Sequence, residues 1–240
     1  MYEERTYRQL SHPDDLLCYE VICKETDLFC CTSVDLRKIV ENRVLFYRHQ
    51  LESYGTERPD FLKSLTPVES DPLAPRIVRK MIAASAAVGV GPMACVAGAL
   101  AEFVGRDINH LSDEYIIENG GDISLRTRKV RKTAVYAKNS PYSQRIGIAL
   151  PPSENAYGIC TSSATVGPSL SLGKADAVCI VAQSALFADA LATRLGNAVN
   201  NADDLNRALE DGQQFPDVIG ILIIVGRSLA VWGEINLIEV

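Results

Sequence analysis

Ala188-Asp189-Ala190-Leu191-Ala192-Thr193 is the segment of this 240-residue chain whose residue types most directly suggest chemistry. From Ser184 to Leu195 the only charged residues are Asp189 and Arg194, among Ala, Leu, Phe and Thr. A helix apolar on all sides is a buried helix, and a carboxylate inside it must be compensated. Arg194, five residues on, points off the face of Asp189, whereas Thr193 at i+4 shares it. A carboxylate and a hydroxyl one turn apart make half a magnesium site, which takes a few protein oxygens and completes its shell with water or phosphate. The other reading has equal weight: Asp189 bonds the backbone amides of a loop, or a distant arginine.

Two glycine turns come next. Glu118-Asn119-Gly120-Gly121-Asp122 lies between strand-like runs. It reads as an Asn-Gly hairpin turn whose bare backbone also lets a ligand approach while Asn119 or Asp122 bonds it. Gly89-Val90-Gly91-Pro92-Met93-Ala94 matches the dinucleotide pattern G-x-G-x-x-A in letters only, since the Ala-rich run before it reads as helix rather than strand. What remains is a helix start at Gly91-Pro92, with free amides for a phosphate, or a packing turn between buried helices. Arg126, Arg128, Lys129, Arg131 and Lys132 read as a solvated hairpin tip, with attraction of an anionic substrate the minority reading. Cys160-Thr161-Ser162-Ser163 reads as a loop carrying a thiol and three hydroxyls with no base beside them, so no nucleophile is assigned there.

The elements that must position these groups alternate between sheet and helix. Strands are expected over 16–24 and 28–32, then a helix over 34–54 with Leu36, Val40, Val44, Tyr47, Leu51 and Tyr54 at helical spacing. A proline-rich link (Pro59, Pro67, Pro72, Pro75) leads to two helices, 76–88 and 92–104. Strands follow over 114–118, 122–125, 133–137, 145–150, 157–161 and 175–181. Helices are expected over 184–195, stopped by Gly196-Asn197, and over 201–211. The end, 218–225, 228–232 and 235–240, reads as a strand meander turning at Gly226 and Gly233. This pattern predicts a single α+β (layered α/β) domain over 1–240, with mixed, largely antiparallel sheets and packed helices.

Composition narrows the partners. Hydrophobic content of 47% and charged content of 22% are those of a globular chain. A net charge of −6 and a pI near 5.2 argue against nucleic acid or an anionic membrane. The uncharged stretch 81–101 is built from Ala, Gly and Ser and broken at Gly89-Val90-Gly91-Pro92, so it reads as packed interior rather than a span. Seven cysteines without a C-x-x-C pair, and histidines only at 12, 49 and 110, exclude zinc-type spacing and argue against a disulfide framework. They predict mostly buried thiols in a reducing cytosol. The N-terminus lacks an apolar signal segment, consistent with a cytoplasmic protein.

In this order, the motifs resemble the ApbE-like (FAD:protein FMN transferase) superfamily, most of all its small uncharacterised cytosolic branch. The series runs Gly-Val-Gly-Pro-Met-Ala (89–94), Glu-Asn-Gly-Gly-Asp (118–122), Ile146-Gly147-Ile148-Ala149-Leu150-Pro151, Thr161-Ser162-Ser163, and Ala188-Asp189-Ala190-x-x-Thr193. The resemblance spans roughly residues 76–200 and implies the ApbE-like fold. It implies that Asp189 and Thr193 hold Mg2+ against the pyrophosphate of FAD. It further implies that Gly89, Gly91, Met93, Asn119, Gly120, Gly121, Asp122, Thr161, Ser162 and Ser163 line a flavin-nucleotide (FAD or FMN) pocket. Two departures stand out. Val166-Gly167-Pro168-Ser169-Leu170 replaces the family's His-x-x-Asp-Pro, and Gly91-Pro92-Met93-Ala94-Cys95 lacks the lysine of its Gly-Gly-x-x-Lys-Gly run.

The leading expectation is therefore a protein that binds a flavin nucleotide or another phosphorylated small molecule, with Mg2+, in a pocket between the 89–94 turn, the 118–122 turn and Asp189/Thr193. Three rivals stand beside it. They are a working FMN transferase that flavinylates a threonine, an accessory protein of sulfur assimilation with Cys95 or Cys160 in the pocket, and a structural homo-oligomer with a vestigial site.

Overall fold

The computed structural model describes residues 13–163 and 172–240. Strands β1 (Leu17–Cys23) and β2 (Thr26–Thr32) form a hairpin whose turn places Lys24 at φ 54°. Helix α1 (Arg37–Glu57) buries Val40, Val44, Tyr47, Leu51 and Tyr54, a 3–4 spacing that lays one stripe against the sheet. Its partner α2 (Pro59–Lys63) is a short helix inside the proline-rich link where none was expected; Pro59 at its first position is compatible with a helix start. Helix α3 (Arg76–Val88) ends on Gly89 in the left-handed region, φ 75°. A 3-10 turn (Pro92–Cys95) then leads into α4 (Val96–Ile108). Proline starts the expected helix, but its first turn is the tighter kind.

The remaining elements are β3 (Tyr115–Asn119), β4 (Asp122–Thr127), β5 (Arg131–Ala134), β6 (Ile146–Leu150), β7 (Ser153–Ser162) and β8 (Ala177–Ala182), followed by α5 (Ala185–Ala198), α6 (Leu205–Gly212), β9 (Val218–Val225), β10 (Ser228–Gly233) and β11 (Asn236–Glu239). One eight-stranded sheet has the order β1-β2-β3-β4-β7-β8-β9-β10, and a three-stranded sheet the order β11-β6-β5. Every pairing among the described residues is antiparallel. The α+β class expected from the sequence holds. The C-terminal meander does not: β9 and β10 pair, but β11 leaves them to pair with β6.

Strand alternation divides the core into two layers. Val178, Ile180 and Ala182 of β8 face the helices, with Met81, Val104, Leu191 and Leu195. Ala177, Cys179 and Val181 face the small sheet, with Val135, Ile148 and Leu150. A strand buried on both faces explains why the β8 sequence is continuously apolar rather than alternating. The uncharged stretch 81–101 lies in this helix layer. Helices α3 and α4 meet there at a bend of 102°, and among the described residues no single helix is long and apolar enough to cross a bilayer.

Three expectations change here. Cys18 and Cys31, directly opposed across β1 and β2, form a disulfide, so these two of the seven thiols are not free. The spacing rules for cysteine motifs are blind to a pair that only strand register brings together. Cys160, Thr161 and Ser162 lie in β7 rather than in a loop. Arg131, expected on a solvated tip, is 11% exposed and pairs with Asp15 and Glu114.

Candidate functional site

Register and helix packing bring four of the twelve sequence-predicted site residues, Asn119, Asp122, Asp189 and Thr193, together at the amino end of α4. Asn119 pairs with Asp122 across β3 and β4, and the Ile123–Ile159 pairing sets Asp122 opposite Cys160 of β7. Paired residues share a face, and Cys160 packs in the helix-side core. Asn119, Asp122 and Cys160 thus form a row under the helices. Above them runs α5, whose N-cap Ser184 accepts from the Phe187 amide.

The entry to α4 is gripped by three of the predicted residues. Thr193 Oγ1 donates to the Ala94 carbonyl at 3.3 Å. Asn119 Nδ2 donates to the Ala97 carbonyl at 3.2 Å. The Gly98 amide donates to Asp189 Oδ2 at 2.9 Å, and the Ala97 amide also serves that carboxyl. Backbone amides as partners of Asp189 were one of the two alternatives left open by the sequence, and they are present here. Asp189 thus engages amides at the start of α4, whereas at the Gly91-Pro92 start, where free amides were expected, the Ala94 amide donates to the Gly91 carbonyl at 3.1 Å. Arg194 turns away, pairing with Asp211 at 2.7 Å and donating to the Val88 carbonyl at 2.8 Å.

The electrostatics of this spot are unusual. Asp189 is 9% exposed, and burial pushes its carboxyl up to about 7 against the opposing pull of the Gly98 and Ala97 amides. Asp122 is pushed well above the carboxylate range by burial first and then by the Asp189 charge, with the Cys160 thiol and the Thr161 amide pulling the other way. Among the described residues neither carboxyl makes an ion pair with a lysine or arginine. The Cys160 thiol lies 3.1 Å from the Ala185 carbonyl; burial, Asp122 and Asp189 all hold its proton on.

Other predicted residues sit apart from this cluster. Gly89 closes α3, and Gly91 packs so tightly on Ser64 that an added Cβ would lie 1.8 Å from its carbonyl oxygen, the geometry of a packing turn. Met93 is half-buried in the 3-10 turn. Gly120 and Gly121 turn the β3–β4 hairpin with φ 68° and 101°, and the Gly121 amide bonds Glu118 Oε1 at 2.7 Å. The Thr161 side chain faces the opposite layer, where it bonds Cys179; only its amide reaches Asp122. Ser162 lies under Gly196 of α5, and Ser163 is buried just beyond β7. The departure at 166–170 lies outside the described residues. Two surface clefts lie elsewhere, one lined by Phe46, Arg76 and Phe103 and the other by Ala198, Arg207 and Gln214. Sequence reasoning missed Glu102, whose carboxylate reaches the start of α5; a lone Glu in an apolar helix was its only signal.

The chain and its fold have known relatives. The family described as AbpE bacteria matches residues 8–225. A UPF0280 protein of Methanocaldococcus jannaschii is 41% identical over 223 residues, 90% of each chain. One from Methanococcus aeolicus is 40% identical over 202 residues, 82% of each. Among solved structures, the flavin transferase ApbE of Vibrio cholerae superposes with a TM-score of 0.61 at 11% identity, over 92% of this chain and 97% of that one. The flavinyl transferase ApbE of Pseudomonas stutzeri, in its apo form, gives 0.59 at 13%, over 90% and 94%. These distant likenesses establish the fold, while the match over residues 8–225 and the close relatives establish the lineage: the chain belongs to the AbpE bacteria family, an ApbE-like group.

Proposed function

We propose that this protein binds a flavin nucleotide (FAD or FMN) or another phosphorylated small molecule at the amino end of α4, with Mg2+ held by Asp189 and Thr193. The observation that carries this reading is a pair of carboxyls, Asp189 raised by burial and the half-buried Asp122 raised by burial and by the Asp189 charge, with no cationic side chain among the described residues paired to either. A hard dication with oxygen ligands would relieve that repulsion. The donor set suits it: Thr193 spends its proton on Ala94, which leaves its lone pairs for a cation. When bound, Mg2+ would supply charge neutralisation for a pyrophosphate. The chain's own residues orient that site, because Asn119 and Thr193 fix the carbonyls of the α4 entry and Asp189 fixes its amides.

The test is calorimetry and thermal denaturation with Mg2+ alone and with FAD, FMN or AMP. Wild type is expected to bind in a Mg2+-dependent way, and Asp189→Ala to lose that dependence. Unchanged binding by Asp189→Ala overturns the assignment. A second reading, flavinylation of a threonine on an acceptor protein, is supported by the fold likeness to the Vibrio cholerae and Pseudomonas stutzeri flavin transferases. Transfer of labelled flavin from FAD to protein threonine decides it. The full burial of Cys95 and Cys160 counts against the sulfur-assimilation reading.

A further inference from the structure

Helices α4 and α5 are tied twice, by carboxylates running in opposite directions. Asp189 of α5 accepts from the Gly98 amide at the start of α4. Glu102 of α4 accepts from the Ser184 hydroxyl at 2.5 Å and from the Leu186 amide at 3.2 Å, at the start of α5. Each helix thus places an acid on the positive end of the other. The Glu102 side chain is 13% exposed, and its second oxygen meets Arg106 at 3.4 Å. Between the two ties the helices touch: an added Cβ on Gly98 would lie 2.4 Å from the Ala185 carbonyl oxygen and 2.9 Å from Asp189 Cβ. Ser184 is also the N-cap of α5, so the group that Glu102 grips sets where the helix begins. Asp189 lies a little over one turn further on.

We propose that Glu102 is a positioning residue for the Asp189 site: by holding Ser184 and Leu186 it fixes the register of α5 and so keeps the Asp189 carboxyl on the Gly98 amide. As a role in cation binding this rests on the function proposed above, but the positioning itself does not. Arg106 leaves Glu102 compensated, so the acid does not need the Ser184 contact for its own neutrality. The interaction acts on α5.

The experiment uses the full chain as wild type, Glu102→Ala and Glu102→Gln, the last retaining an oxygen acceptor for Ser184 and Leu186. Hydrogen exchange at the Gly98 amide reports the positioning, with the Ile180 amide of β8 as the measure of global opening. In Glu102→Ala, Gly98 is expected to exchange roughly five- to tenfold faster while Ile180 holds, the size of a lost cap. Glu102→Gln is expected to restore most of the protection. Mg2+ alone, titrated calorimetrically, is expected to bind Glu102→Ala about tenfold more weakly than wild type, as for other groups that orient a ligand. Unchanged Gly98 exchange in Glu102→Ala overturns the proposal, as does equal acceleration of Gly98 and Ile180, which would make the contact a general stabiliser. If wild type takes up no Mg2+, the function proposed above fails, and the exchange measurement still decides the role of Glu102.

Discussion

The Gly98 amide and the Asp189 carboxylate, 91 residues apart in sequence, meet at 2.9 Å where α4 crosses α5 with no space for a methyl group. Two effects compete when Gly98 becomes alanine. Helix propensity favours the change by about 1 kcal/mol, whereas forcing a Cβ against the Ala185 backbone carbonyl costs typically about 1–3 kcal/mol because backbone cannot swing aside. The steric effect is expected to win. Gly98→Ala should lower the denaturant midpoint and weaken Mg2+ binding, and a variant more stable than wild type would show that the crossing has room for a methyl group.

The raised Asp189 carboxyl sets a pH dependence of definite sign. In the unfolded chain an aspartate titrates near 3.8, in the folded protein Asp189 near about 7. Between these values the folded state holds the extra proton, so this group's contribution to stability is full below about pH 4 and is lost as pH rises through 7. Asp122, raised and facing Asp189, acts in the same direction. Asp189→Asn keeps an acceptor for Gly98 without a charge. Its melting temperature is expected to exceed that of wild type at pH 8, and the gap to close toward pH 4. Stabilisation of wild type by Mg2+ should grow as pH rises through 7, since the cation competes with the proton.

Much of this was legible in the residues. The bounds of α3 are those expected, because apolar spacing and Gly89 mark them without tertiary help. The burial of Asp189 was legible from one charge in a greasy helix. Its partners were not, since amides 91 positions away leave no mark on local sequence. Thr161 was misplaced for a related reason: in a strand, a one-residue step sends a side chain to the other face, and only the Ile123–Ile159 register says which. The disulfide and the buried Arg131 were hidden likewise, both depending on which strands become neighbours.

The Cys18–Cys31 bridge closes a separation of 13 residues at the edge of the large sheet. Loop-closure entropy for a ring of this size is worth about 3 kcal/mol. A Cys18→Ser variant, or wild type with a dithiol reductant, is expected to melt at a lower temperature, while reductant should not move the variant further. Alkylation of the unfolded chain without reductant should leave these two cysteines unmodified. Modification of all seven under those conditions would show that the bridge does not form.

Arg131 joins the small sheet to the large one through charges rather than apolar contact. Its guanidinium meets Asp15 at 2.6 Å and 3.0 Å and Glu114 at 2.9 Å, while its Nε donates to Thr127 Oγ1 at 3.2 Å. Arg131 and then Lys129 hold the Asp15 carboxyl well below its usual range. Glu114, although burial pulls it upward, is held down by Thr127, the Arg128 amide and Arg131. With Arg131 11% and Glu114 13% exposed, removing the cation strands a largely buried carboxylate, a loss of about 3 kcal/mol. Arg131→Met should therefore destabilise strongly at neutral pH. The sign with pH is opposite to that at Asp189: depressed carboxylates stabilise above the unfolded value and lose that stability as pH falls through the folded one, so the gap to wild type should narrow in acid. Arg131→Lys keeps the charge but cannot address two carboxylates and a hydroxyl from one planar fork, so it should recover only part of the loss. Full recovery by lysine would reduce the contact to simple charge attraction.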